Sequence, residues 1–213
     1  DSNLFYKDEN KDFIFLLKIK KSDFSYDKKN LENKMVLSSE IFNIPVDLNI
    51  SNNLINKKVT AKVLSKKIRL KVENEFEYDQ ENLDGLLKIF IMNKKNIFNY
   101  QIKNNSLNFS SIDDDLKGLI DLKPFYLLFD SNFNQLNLKK LFNDGSILRN
   151  FLYSEIFNNK NLNANFNINF NKIKNSQYLS NFIIKTYLEE GNLIIRDSSI
   201  NWNDAALINL NDI

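Results

Sequence analysis

The amino-acid sequence predicts a mainly β protein whose strands run antiparallel, with one short helical segment near residues 136–157. Two observations predict the strands. Apolar and polar residues alternate along most of the chain, which is the period of a half-buried strand. Short polar turns separate these runs at intervals of about 8–12 residues, as between consecutive antiparallel strands. The helix is predicted from one interval in which the apolar residues follow helical spacing instead.

In the first third of the chain, strands are expected over residues 13–19, 42–50 and 59–63. Pro45 lies within the second run and predicts an edge position or a bulge, because proline cannot donate to a strand ladder. The clearest run is 68–78. Its apolar residues have one parity, and the opposite parity holds Arg69, Lys71, Glu73, Glu75 and Glu77. A helix would scatter these charges around its circumference, whereas a strand puts them on one face.

The meander is expected to continue through runs at 87–92, 98–102, 107–109, 162–170, 182–188, 193–195, 198–202 and 206–210. Between them, residues 147–157 have helical spacing, with Ser146 as the expected N-cap and a further helical turn near 136–142. No linker rich in Pro, Gly or Ser divides the chain. The sequence therefore predicts one continuous β-rich segment over 1–213. Because it starts at Asp1 without a leader, we expect this segment to belong to a longer protein.

Composition argues against most kinds of chemistry. The chain has no His, no Cys and only 4 Gly, and its formal net charge is +2. The usual general base, thiol nucleophile and commonest metal ligands are thus absent, and little glycine remains for a phosphate-binding loop. Asp113–Asp115 lack the ligand spacing of a calcium loop. The lysines near 53–58 lack the sustained basic surplus of a nucleic-acid surface. We expect no enzyme, no cofactor, no metal and no nucleic-acid partner.

The apolar strand faces leave two interpretations open. They pack as the closed core of a structural or adhesive β-sandwich, or they belong to a long curved sheet whose open concave face is a β-groove that holds hydrocarbon. A carboxylate-based glycan hydrolase is a third, least favoured class. In the groove interpretation the lining side chains are Ile68, Leu70, Val72, Phe76, Tyr78, Phe98, Tyr100, Ile102, Phe166, Ile168, Phe170, Ile184 and Ile195.

The C-terminal third carries a resemblance to a known family. Its elements are the helical stretch 145–157, the following Asn-Leu-Asn-Ala strand at 161–164, the Glu189-Glu190-Gly191 hairpin and the strand that reaches Trp202. This arrangement resembles the AsmA-like family of bacterial envelope proteins, which includes YhdP and TamB relatives. The resemblance covers about 135–213, and the meander at 66–129 fits it loosely.

The resemblance implies the architecture of bridge-like lipid-transfer proteins, in which an extended sheet forms a gutter with an apolar interior. The expected ligand is phospholipid or another acyl lipid, moved between membranes in support of outer-membrane integrity. The expected location is the periplasmic side of the cell envelope, with an inner-membrane anchor in the full-length protein. Contacts with the envelope membranes are expected through parts outside this segment.

Overall fold

The computed structural model describes residues 2–7, 13–78, 83–91, 94–139, 159–203 and 205–211. These residues are almost entirely β, which confirms the predicted fold class. In the described part of the chain there are sixteen strands: β1 Ser2–Lys7, β2 Phe13–Asp27, β3 Glu32–Ile41, β4 Ile44–Asn53, β5 Lys58–Ser65, β6 Leu70–Glu77, β7 Leu83–Ile91, β8 Lys94–Lys103, β9 Ser106–Ser111, β10 Leu116–Leu122, β11 Phe125–Leu136, β12 Asn163–Ile173, β13 Leu179–Glu189, β14 Asn192–Ile195, β15 Ser198–Trp202 and β16 Ala206–Leu210.

The chain divides into two compact units, Asp1–Ile112 with β1–β9 and Asp113–Ile213 with β10–β16. Within each unit the sheet is open. Among the described residues, every extensive contact between two strands of a unit joins hydrogen-bonded neighbours, and the outermost strands of a unit do not pair with each other. Each unit is therefore a single β layer in its described part. That residues 1–213 form one continuous segment stays a prediction.

The first unit is an antiparallel meander in which each strand pairs with the next along the chain. Its polar turns explain this order, because a short turn can only return the chain beside the strand it has just left. The strand predicted over residues 68–78 is present as β6, with one correction to its start. The strand starts at Leu70, because Ile68 and Arg69 belong to the preceding turn, where Arg69 has a φ of 51°.

Pro45 lies neither in an edge strand nor at a bulge of the β3–β4 ladder, so that prediction is wrong. It is in β4, an interior strand, and pairs with Glu40 of β3. On the other side of β4, pairing with β5 begins only at Asp47. The missing N–H of Pro45 therefore interrupts no β4–β5 ladder bond, and its carbonyl accepts a hydrogen bond from Ser65 Oγ at 2.7 Å.

The second unit departs from the predicted antiparallel pattern at one pair. β11 and β12 are parallel, in register from Tyr126 opposite Asn163 to Leu136 opposite Ile173. Parallel neighbours require a crossover rather than a turn, and residues 137–162 supply it. The other pairings described in this unit are antiparallel, with β13 contacting both β14 and β15 along one edge.

The predicted helical segment falls on this crossover. Leu136 is the last residue of β11, contrary to the prediction, and residues 138–139 are helical. The predicted helix over 147–157 and its Ser146 cap lie outside the described residues. No helix in the described part of the chain has the length and apolar character needed to cross a membrane.

Candidate functional site

The first unit has one sheet face that is mostly apolar. Residues paired across an antiparallel ladder point to the same side of the sheet, so the registers define this face. Val72 of β6, for example, is paired with Val63 of β5 and with Ile89 of β7. We call this surface the first apolar face. Six predicted lining residues share it: Leu70, Val72, Phe76, Phe98, Tyr100 and Ile102.

Two predicted lining residues of this unit lie outside the described strands. Ile68 is buried in the turn before β6 and is not part of the ladder. Tyr78 follows the last residue of β6, and its backbone N–H donates to the carbonyl of Lys57 at 3.1 Å. Both predictions extended the alternating pattern past the ends of the strand. Alternation in a sequence does not reveal where the chain leaves the sheet.

The charged residues of β6 lie on the opposite face, as predicted, together with Leu64, Leu86 and Phe90 of the neighbouring strands. Lys71, Glu73, Glu75 and Glu77 alternate with the apolar residues of β6, and all of them are exposed except Glu73, which is half-buried. Lys71 Nζ lies 2.7 Å from Glu73 Oε1, and this hydrogen bond holds the pKa of Glu73 below its usual value. A cavity of about 620 Å³, lined mainly by charged side chains of β5, β6 and β7, opens on this face. Phe76 and Leu86 are its apolar lining residues.

A polar pair interrupts the first apolar face. The hydroxyl of Tyr100 donates to Asn74 Oδ1 at 3.0 Å, so the side chain spans from β8 to β6. It crosses Gly85 of β7, which is its ladder partner, and a Cβ at Gly85 would overlap the Tyr100 ring. Burial raises the pKa of the Tyr100 hydroxyl. Gly85 thus leaves space for the ring of Tyr100, whose hydroxyl donates a hydrogen bond to Asn74, the one residue of β6 with a side-chain amide.

The apolar residues of this face differ in their contact with solvent. Phe98 and Tyr100 are buried, whereas Leu70, Val72 and Phe76 are half-buried. Side chains in the core of a sandwich are covered by the facing sheet. Here the described strands provide no facing layer within the unit, so much of the apolar surface stays accessible.

The second unit also has an apolar face, which we call the second apolar face. The register places Phe166, Ile168 and Phe170 of β12 beside Ile184 of β13, and Thr186 of β13 beside Ile195 of β14. All five lining residues predicted in this unit therefore share one side. Phenyl rings cluster there, with centroids 5.4 Å apart for Phe133–Phe170, 6.2 Å for Phe129–Phe166 and 6.3 Å for Phe170–Phe182.

A serine lies at the centre of this aromatic cluster. Ser131 is paired with Ile168 and Leu116, and only 1% of its surface is exposed. Its hydroxyl has no hydrogen-bond partner among the described residues. A buried hydroxyl without a partner costs free energy, so Ser131 contributes through its small size, which lets the neighbouring rings approach.

The opposite side of the parallel pair carries a ladder of amides. Asn167 Nδ2 donates to Asp130 Oδ1 at 3.1 Å, and Asn169 Nδ2 donates to Asn132 Oδ1 at 2.9 Å. Asn171 repeats the pattern with Asn134 at 3.4 Å. The alternating Asn residues that the sequence displayed in β12 are therefore cross-strand partners of polar residues in β11.

Sequence reasoning missed two features of the first unit. Strand β3 adds Met35 and Leu37 to the first apolar face, but Val36 between them hides the alternation. The hairpin tips at 28–31 and 54–57 carry exposed apolar residues next to lysines. The signal for the second tip was the Leu54-Ile55 pair inside a polar turn, which was interpreted only as part of a basic cluster.

That the two apolar faces line one shared groove stays a prediction. No group of three or more His, Cys, Asp or Glu residues that could hold a metal ion occurs in the described part of the chain. No protein-family model, curated protein or solved structure matches this chain.

Proposed function

We propose that this chain is a non-enzymatic segment of a bacterial envelope protein that holds or conducts lipid acyl chains on its apolar β faces. The lipid is a phospholipid or another acyl lipid, and the role is phospholipid transport between membranes in support of outer-membrane integrity. The observation that carries the proposal is that each unit is a single described layer with one mostly apolar face.

The physical argument concerns the exposed hydrocarbon. Apolar surface in water costs about 25 cal/mol per Å², and monomeric proteins rarely leave a large contiguous patch uncovered. On the first apolar face the half-buried side chains extend over neighbouring strands in an unbroken ladder. Acyl chains would cover this surface without needing directional contacts. Besides the Tyr100–Asn74 pair, the described polar side chains of this face include Ser65, Asn96 and Ser111, and apolar residues outnumber them.

The competing proposal is a structural or adhesive β-sandwich with a closed core and no ligand. That architecture requires a second sheet about 10 Å above the first. The absence of such a layer among the described residues of either unit favours the lipid-holding proposal. The envelope location and the membrane anchor outside the segment rest on the AsmA-like resemblance at 135–213.

The test is to purify the chain from a bacterial host in mild detergent and to identify bound lipid by native mass spectrometry. We expect co-purifying phospholipid with the wild type. Ile168→Asp and Ile102→Asp should each reduce it, because each puts a carboxylate on an apolar face. The matched controls are Asn171→Asp and Gln101→Asp, which add the same charge to exposed polar positions nearby and should leave lipid binding unchanged.

Folding must be measured in parallel. A residue that lines a lipid groove contacts lipid or water rather than the protein interior. A polar substitution there should therefore reduce the amount of bound lipid, while circular dichroism shows that the variant is still folded. Truncation of a fully packed core residue costs about 2–5 kcal/mol. A lipid-free wild type whose Ile168→Asp and Ile102→Asp variants unfold would favour the closed-core alternative instead.

A further inference from the structure

Asn74 is an amide side chain in the middle of the first apolar face. It is the fifth of the eight residues of β6, and its ladder partners are Ala61 of β5 and Leu87 of β7. Val72 and Phe76 are its nearest neighbours along β6 on the same face, because side chains alternate between the two faces of a strand. Apolar side chains therefore border Asn74 in all four directions across the sheet.

The hydrogen bond with Tyr100 determines which part of this amide is left available. The Tyr100 hydroxyl donates to Asn74 Oδ1 at 3.0 Å. An asparagine amide has one acceptor oxygen and an NH₂ group with two donors, so the Nδ2 atom is directed away from Tyr100. Nδ2 has no acceptor among the described residues. The amide therefore presents hydrogen-bond donors to the space above the apolar face.

Tyr100 holds the amide in this orientation. The tyrosine is 7% exposed, and its ring lies across Gly85, so packing fixes the position of the hydroxyl. Burial raises the pKa of this hydroxyl, which therefore stays protonated and continues to donate at neutral pH. A donor that is fixed before the ligand arrives loses little conformational freedom on binding.

Covering the face with acyl chains would change the surroundings of these donors. Asn74 is half-buried, so water can accept from its Nδ2 hydrogens while the face is open. Acyl chains would expel this water, and a methylene chain contains no acceptor. A buried donor without a partner costs free energy. A lipid on this face is therefore bound best when it places an acceptor over Asn74.

The acceptor of a lipid that lies closest to its hydrocarbon is the carbonyl group at the start of each acyl chain. This group belongs to an ester in a phospholipid and to a carboxylate in a free fatty acid. The four residues that border Asn74 are uncharged. A carboxylate would therefore be buried there without a cation, which is costly, whereas a neutral ester needs only a hydrogen-bond donor. The surroundings of Asn74 favour the ester.

We propose that Asn74, held by Tyr100, binds the ester carbonyl of an acyl lipid on the first apolar face. Nδ2 donates to the ester oxygen, and the acyl chains cover the neighbouring apolar residues. Asn74 is then a specificity-determining residue, which selects ester-linked lipids over ether-linked lipids of the same size. This inference rests on the proposed function, in which acyl chains are held on this face.

The test offers the 213-residue chain two lipids that differ in the proposed acceptor. The protein in mild detergent receives equal amounts of dipalmitoyl phosphatidylcholine and its dihexadecyl ether analogue, and native mass spectrometry counts the bound molecules. One hydrogen bond favours the ester several-fold, and the second apolar face need not discriminate, so the wild type should retain at least about twofold more ester than ether. Equal retention would overturn this inference alone, whereas a wild type without any lipid would contradict the proposed function as well.

Two variants connect the preference to the polar pair. Asn74→Leu/Tyr100→Phe removes both partners of the hydrogen bond, and such a double replacement by apolar groups is nearly neutral for folding. Its ratio of ester to ether should fall to about one, with the total bound lipid undiminished. Tyr100→Phe alone allows the amide to rotate, so the ester preference should be reduced but not lost. A double variant that keeps the wild-type ratio would overturn the inference.

Asn96 provides the matched control. It carries the same amide on the same face, with Ile89 as its ladder partner, but it is the third residue of β8 and lies close to the end of the strand. Water remains within reach there, so Asn96→Leu should keep the wild-type ratio of ester to ether. An equal loss of preference in Asn96→Leu and in the double variant would contradict the assignment to Asn74.

A second mixture separates the two sources of the carbonyl group. Methyl palmitate and palmitate have the same acyl chain, and they differ in that one is a neutral ester and the other a carboxylate. At about pH 8 the wild type should retain methyl palmitate over palmitate, because a carboxylate is costly to bury without a cation. An excess of palmitate on the wild type that the double variant lacks would assign the site to a carboxylate and overturn the proposal of an ester.

Discussion

The ring of Tyr100 lies across Gly85, the residue opposite it in the β7–β8 ladder, and its hydroxyl reaches Asn74 one strand further on. This relationship couples three neighbouring strands on a face that is otherwise apolar. It also explains a glycine in a strand interior, where glycine is unfavourable.

Gly85→Ala should destabilise the protein. The added methyl group overlaps the Tyr100 ring, so the tyrosine must move and release Asn74. We expect a loss of about 1–3 kcal/mol in the free energy of unfolding, measured by urea denaturation. In a Tyr100→Leu background the same change should cost little or even stabilise, since alanine suits a strand better than glycine. Additive effects of the two substitutions would contradict the overlap.

Tyr100→Phe should change how stability depends on pH. Burial raises the pKa of Tyr100 in the folded state, so the unfolded chain releases this proton first as the pH increases. The stability contributed by the neutral hydroxyl is complete below the unfolded pKa of about 10 and is lost as the pH rises through it toward the folded pKa. Urea midpoints at about pH 8 and above 10 should therefore fall more in the wild type than in Tyr100→Phe. If the urea midpoint falls equally with pH in the two proteins, another ionisable group dominates the pH dependence of stability.

The amide ladder between β11 and β12 should contribute unequally along its length. Asn169→Ala removes a hydrogen bond of 2.9 Å to Asn132 and should cost about 0.5–1.5 kcal/mol. Asn171→Ala is the matched control, because its bond to Asn134 is 3.4 Å long and both residues are exposed. It should change the unfolding free energy by less than half as much. A larger effect at Asn171 would argue against the ladder as a support for the parallel pair.

Two buried serines should respond oppositely to the same substitution. Ser65 Oγ donates to the carbonyl of Pro45 at 2.7 Å, so Ser65→Ala leaves a carbonyl without its partner and should cost about 1–2 kcal/mol. The hydroxyl of Ser131 has no partner among the described residues, so Ser131→Ala should be neutral or stabilising. Chemical denaturation of both variants provides the comparison. Equal destabilisation would indicate that Ser131 donates a hydrogen bond in solution.

Much of the β architecture was readable from the sequence, because side chains in a strand alternate between two faces and the alternation survives in the residue order. In β6 the parity of Leu70, Val72 and Phe76 assigned the apolar face, and that of Lys71 and Glu73 assigned the polar one. In β12 the Asn residues were visibly opposite the Phe and Ile residues. The alternation within a strand is sufficient to assign its two faces wherever one face is apolar and the other is exposed to water.

Only the tertiary structure decided which strands became neighbours and where each one ended. The parallel pairing of β11 with β12 depends on the path of residues 137–162, which no alternation encodes. Ile68 continues the pattern of β6 in sequence but lies in a turn, because the ladder with β5 begins at Leu70. Tyr100, Gly85 and Asn74 are far apart in the chain and meet only through two ladder registers. Contacts of this kind arise from pairing between strands, and a single sequence carries periodicity within a strand but not the register between two.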